Sequence, residues 1–115
     1  MSFLRAPLGQ KQANAVSTAL RTAARGEECT LRLPCCNGGT ETTVLAHLRM
    51  FGVAGIGQKP DDWFGVFACA ACHDALDRRN SANADMWGIE NVLRALHETI
   101  RRQIARGNIT IKGAK

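Results

Sequence analysis

The sequence predicts an α+β fold, with a small cysteine-stapled core between an N-terminal helix and a long C-terminal helix. Three observations carry this expectation. Five cysteines, Cys29, Cys35, Cys36, Cys69 and Cys72, crowd the middle of a 115-residue chain with only 5% aromatic residues. Such a chain builds a thin apolar core and gains from a staple. Two short segments, Thr42–His47 and Trp63–Ala68, read as extended. Toward the C-terminus, Ile89, Leu93, Leu96, Ile100 and Ile104 recur at steps of three and four, the period of one helical face. The length fits a single domain over residues 1–115.

Residues 10–25 (QKQANAVSTALRTAAR) are rich in alanine and free of Gly and Pro, which predicts a helix ended by Gly26. The core is then expected over residues 26–80. Within it, Thr30–Leu33 is a strand candidate, followed by the turn Pro34-Cys35-Cys36-Asn37-Gly38-Gly39. Thr42–His47 is expected to return as its hairpin partner. Residues 52–60 (GVAGIGQKP) read as a loop, and their glycine spacing does not match a dinucleotide-binding fingerprint. A helix is expected from Ala70 to about Arg79. The long C-terminal helix is expected over residues 83–106, ended by Gly107, and Asn108–Lys112 is a candidate terminal strand.

The chain carries a net charge of +5, and eleven of its fifteen basic residues are arginine. Guanidinium forks match phosphate oxygens, so polyanions, DNA among them, are the natural partner class. No apolar run approaches the ~20 residues of a membrane span, and no signal-peptide pattern is visible, which points to the cytoplasm. The apolar face from Ile89 to Ile104 is long for one small domain and also suits a homodimer through the C-terminal helix.

An odd cysteine count without a signal peptide argues against a disulfide framework. Cys69 and Cys72 form a C-x-x-C, half of a common tetrahedral zinc site. Cys29 and one of the adjacent pair Cys35 and Cys36 supply the other half. Cys36 is preferred because it enters the Asn-Gly-Gly turn, where backbone amides can face its sulfur. The expectation is one structural Zn²⁺ on Cys29, Cys36, Cys69 and Cys72, with buried free thiols as the plainer alternative.

His73 directly follows the C-x-x-C, and Asp77 lies one helical turn on, so both share a face. Such a pair suits a divalent cation, Mg²⁺ or Mn²⁺ by preference and Ni²⁺ in vitro. His47, at the end of its strand, is placed to act as a general base. Arg49, Lys59, Arg78 and Arg79 lie close in sequence to this centre and suit flanking phosphates. Arg94, Arg101, Arg102 and Arg106 read first as a solvated face of the long helix. His97 reads as a surface residue.

Taken together, Cys29-x6-Cys36, Ala46-His47-Leu48-Arg49 and Cys69-x2-Cys72-His73-Asp74 resemble the zinc-containing HNH (ββα-metal) endonucleases. The closer resemblance is to the YbcO-like family of prophage proteins, described as nucleases, and it runs from about Arg25 to Arg79. It implies a ββα-metal core with a purely structural zinc, His47 polarising the attacking water, and His73 on the catalytic metal. Asp77 would be the second ligand. Two positions depart from the superfamily pattern. Ala46 stands where many members carry an acidic ligand, and no Asn precedes the last apolar segment, where Asp62 and Phe64 stand. The resemblance implies a metal-dependent DNA endonuclease in phage DNA processing. The alternative is a zinc-stapled DNA-binding accessory protein without cleavage.

Overall fold

The computed structural model describes residues 15–49, 60–78 and 88–114. Within them the element order is α1 (Thr18–Thr22), β1 (Val44–His47), β2 (Gly65–Ala68), α2 (Ala70–Asp77) and α3 (Ile89–Ala105). The two strands form an antiparallel pair, with Val44 opposite Ala68, Leu45 opposite Phe67, Ala46 opposite Val66 and His47 opposite Gly65. The architecture is therefore α+β, with a ββα unit at its centre.

Alternation along the strands sorts the core into two sides. Ala46, Leu48, Val66 and Ala68 pack with Leu31, Leu33, Leu76, Val92 and Ala95, together with three of the cysteines. Leu45 and Phe67 turn the other way, onto Leu20, Ala23 and Ala24 of the α1 region. Ser17 caps α1 by accepting the Leu20 N–H on its hydroxyl at 3.2 Å. One residue, Cys69, separates β2 from α2, and its sulfur accepts the Cys72 N–H at 3.4 Å. At the end of α3, Gly107 takes φ +79°, which lets it donate to Ile104 O while Asn108 donates to Gln103 O. That pair of bonds is the Schellman stop expected of a glycine after a helix.

Three expectations need correction. Thr30–Leu33 is not a strand, and the partner of the 42–47 segment is β2. Arg32 sits at φ +49°, which breaks an extended run. The neighbouring carbonyls are taken by α3 side chains instead: Arg94 Nη2 donates to Thr30 O at 2.6 Å and Asn91 Nδ2 to Leu31 O at 2.9 Å. Residues 108–112 run as bends and irregular backbone into a turn rather than as a strand.

The third correction concerns which face of α3 is buried. Its buried stripe is Val92, Ala95, Thr99 and Gln103, whereas Ile89 and Leu93 are 60% and 56% exposed. The two polar members of the stripe satisfy backbone groups that no strand or helix reaches. Thr99 Oγ1 accepts from Phe67 N–H at 3.1 Å, and Gln103 Nε2 donates to Leu20 O at 2.9 Å. Residues 10–14 and 83–87 of the two expected flanking helices lie outside the described residues. No described helix is long and apolar enough to cross a membrane.

Candidate active site and metal centre

The Sγ atoms of Cys29, Cys36, Cys69 and Cys72 all lie within 4.8 Å of one another. Cys69 and Cys36 are 3.8 Å apart. Four sulfurs around one Zn²⁺ at ~2.3 Å stand ~3.8 Å apart along each tetrahedral edge, so this spacing fits a metal held by four thiolates. Cys29, Cys69 and Cys72 are buried, and Cys36 is half-buried. Cys35 is exposed and turns its sulfur to Ala71 O at 3.7 Å, away from the cluster.

The turn that delivers Cys36 is pinned to α2. Asn37 Oδ1 accepts the Gly39 N–H, Asn37 Nδ2 donates to Thr42 Oγ1, and Thr42 Oγ1 accepts the Ala70 N–H. Burial opposes ionisation of Cys69, but the backbone N–H groups of Asn37 and Cys72 outweigh it and lower its thiol to about 7. Burial pushes the Cys36 and Cys72 thiols up. A divalent cation among the four sulfurs would favour the thiolate form of all of them.

On the other side of β1, a cleft of ≈ 790 Å³ opens between α1 and α2. His47, His73 and Asp77 line it, along with Arg21, Arg25 and Arg49. His73 Nε2 and Asp77 Oδ2 are 3.6 Å apart across one helical turn. Two ligand atoms at ~2.1 Å from one cation stand ~3–3.5 Å apart, so this N/O pair fits a shared divalent ion with a small rotation. The remaining coordination positions would face the cleft.

His47 is only 12% exposed, and its Nε2 lies 2.8 Å from Oδ1 of Asp62, whose side chain is wholly buried. The other oxygen of Asp62 accepts the Ser17 N–H at 2.6 Å and Arg21 Nε–H at 2.8 Å. Burial alone would raise the Asp62 pKa. The hydrogen bonds from His47, Ser17 and Arg21 reverse that and hold it below the usual carboxylate range.

The structure thus gathers the four cysteines at one corner, and His47, His73, Asp77 and Arg49 at one cleft. Arg78 is exposed on the far end of α2, 3.4 Å from Asp74, and does not line the cleft. Lys59 and Arg79 lie outside the described residues. Arg94 and Arg102 pair with Glu98 one turn away on the same helix, while Arg102 and the C-cap residue Arg106 pair with Glu27 and tie the end of α3 to the segment after α1. Sequence reasoning missed Arg21 and Arg25 as cleft residues and Asp62 as the partner of His47. Only the pairing of β1 with β2 and the docking of α1 bring them there.

Residues 18–108 match the protein family described as "Putative nuclease YbcO". The chain belongs to the YbcO family. A relative bearing the same description from Escherichia coli K12 is 57% identical over 61 residues, which is 52% of this chain and 64% of that protein. A relative from Enterobacteria phage 82 matches to the same extent. The match spans somewhat under two thirds of the length of these relatives. A solved structure described as a putative bacteriophage protein from E. coli K-12 MG1655 is also similar, at 40% identity and a TM-score of 0.60. That similarity covers 77% of this chain and the whole of the other.

Proposed function

We propose that this YbcO-family protein is a metal-dependent DNA endonuclease of the HNH type. The convergence of His47, His73 and Asp77 on one arginine-walled cleft carries the reading. A general base, a divalent-cation pair and phosphate-binding cations are the parts that phosphodiester hydrolysis requires.

In this reading His47 draws a proton from a water molecule in the cleft. The water oxygen forms a bond to phosphorus as the bond to the 3′ oxygen breaks. His73 Nε2 and Asp77 Oδ2 hold Mg²⁺ or Mn²⁺. The bound ion would offset negative charge on a non-bridging oxygen and on the leaving oxygen. Arg21, Arg25 and Arg49 grip the flanking phosphates, which positions the backbone without reading bases. The cysteine cluster holds a structural Zn²⁺ and fixes the strand–helix corner from which His73 projects. Its closed set of four thiolates leaves no open position for chemistry.

The experiment is plasmid cleavage by purified protein in EDTA, Mg²⁺, Mn²⁺ and Ni²⁺, with His47→Ala beside wild type. Cleavage should require added metal and fall by ~10²–10⁴-fold in His47→Ala, the span of a general base. Absence of cleavage on supercoiled, linear and branched DNA by a folded, zinc-loaded protein would refute the nuclease reading. Retained DNA binding in that case would identify an accessory binding protein instead.

A further inference from the structure

His47 is held from behind by one buried carboxylate, and the donors around that carboxylate determine what His47 can do. Among the described residues, Asp62 Oδ1 meets only His47 Nε2, at 2.8 Å, while Asp62 Oδ2 accepts both the Ser17 N–H and Arg21 Nε–H. Asp62 is further tied to the start of α1 by its own N–H, which donates to Ala15 O at 2.8 Å. Next to it, Asp61 Oδ1 accepts the Ala15 N–H at 2.6 Å. The carboxylate therefore cannot swing away without releasing α1.

An ionised carboxylate only accepts hydrogen bonds, so its partner nitrogen must carry the proton. With Nε2–H on Asp62, the unprotonated nitrogen of neutral His47 is Nδ1, and the ring lines the cleft. We propose that Asp62 is the positioning residue for the base: it fixes His47 as the Nε2–H tautomer and leaves Nδ1 to take the proton. This rests on the nuclease reading. Asp62 also provides the negative charge beside the imidazolium formed after proton uptake. The other charged or titratable groups lining the cleft with His47 are Arg21, Arg25, Arg49, His73 and Asp77.

The substitution Asp62→Asn separates positioning from architecture. Two donors converge where Oδ2 stood, so the amide must keep its oxygen there. Its NH₂ then faces His47, and Nε2 must become the acceptor. The variant should keep α1 docked yet force His47 into the Nδ1–H tautomer, with the proton on the nitrogen that the reaction needs bare.

The test reads tautomers directly, by long-range ¹H–¹⁵N correlation on protein carrying ¹⁵N-labelled histidine, alongside plasmid cleavage at saturating Mn²⁺. Wild type should show Nε2–H at His47. Asp62→Asn should show Nδ1–H and lose ~10²-fold or more in cleavage, with DNA binding and zinc content retained. A wild-type His47 protonated on Nδ1 would overturn the proposal, with or without a foldable variant. So would an Asp62→Asn protein that keeps both the wild-type tautomer and the wild-type rate. If wild type does not cleave DNA at all, the nuclease reading fails, and the tautomers of the two proteins still decide whether Asp62 sets the ring.

Discussion

Thr99→Val is the most informative stability test of how α3 is seated. Thr99 is 1% exposed and Thr30 and Phe67 are 0% exposed, so none of their polar groups reaches water. The hydrogens can be placed by counting. Thr30 Oγ1 donates to Phe67 O at 3.0 Å, which uses its only proton. Thr99 Oγ1 must then donate to Thr30 Oγ1 at 3.0 Å, and it accepts the Phe67 N–H at 3.1 Å. The result is a closed, directional loop joining the 30 segment, β2 and α3. Valine keeps the shape of threonine but leaves the Phe67 N–H without this acceptor. A buried donor left unpaired costs about 1–3 kcal/mol, and the extra methyl offsets part of that by less than about 1 kcal/mol. The expected loss is about 2 kcal/mol, or a fall in Tm of roughly 5–10 °C for a chain of this size. Calorimetry or a urea titration would measure it. Thr30→Val added to Thr99→Val should cost less than Thr30→Val alone, because the two hydroxyls share one loop. A Thr99→Val protein melting within about 1 °C of wild type would refute the account, because the loop would then carry no net stability.

Other outcomes follow from the metal centre, the strand pair and the carboxylates. Cys36→Ser should abolish stoichiometric zinc binding, whereas Cys35→Ser should leave it intact, because only the Cys36 sulfur faces the cluster; metal analysis by mass spectrometry checks both. Stripping the metal with a strong chelator should lower the melting temperature sharply, since binding and folding of a closed thiolate site are coupled. Gly65→Ala should destabilise by about 1–3 kcal/mol in denaturant titration, because the added Cβ would stand 3.0 Å from Ala46 O and 3.0 Å from Leu45 Cδ1, opposite His47. Asp62 and Glu98 both have carboxyls held below their ordinary values. For Asp62 burial opposes this and the bonds from His47, Ser17 and Arg21 prevail, and for Glu98 the Arg32 hydrogen bond leads. The sign follows: stability from these groups is whole above an unfolded pKa of ~4 and is lost as pH falls through the lower folded values. Urea midpoints should therefore drop below about pH 4, and less steeply in Glu98→Gln than in wild type.

Much of the chemistry was legible because it lies in local spacing. The C-x-x-C sets Cys69 and Cys72 one turn apart at the head of α2, and an i, i+4 relation sets His73 and Asp77 on one face. Neither relation depends on long-range packing. The stop at Gly107 is equally local, since only the positive φ of that residue closes the last turn of α3. The strand partner of residues 44–47 was not legible. Thr30–Leu33 has the composition of a strand, but its backbone groups are claimed by Thr30 on Phe67 O and by Asn91 and Arg94 of α3, up to 64 residues away in the chain.

The rotation of α3 teaches the same lesson. Hydropathy assigns its inner face to Ile89, Leu93, Leu96, Ile100 and Ile104, yet Thr99 and Gln103 point inward. Each meets a buried backbone group whose unpaired cost is of the same size as what one more exposed aliphatic side chain forfeits. The partners of these two residues, Phe67 N–H and Leu20 O, become visible only when β2 and α1 are in place.

By itself, the sequence determined the α+β class, the residues able to bind metal, the paired His73 and Asp77, and the arginine-rich charge. All of these follow from residue identity and from separations of a few positions. The tertiary structure alone decided that β1 pairs with β2 and that Arg21 and Arg25 wall the cleft. It alone set Asp62 behind His47, because a buried carboxylate takes its partners from whichever donors the fold delivers, here from Ser17, Arg21 and a strand end.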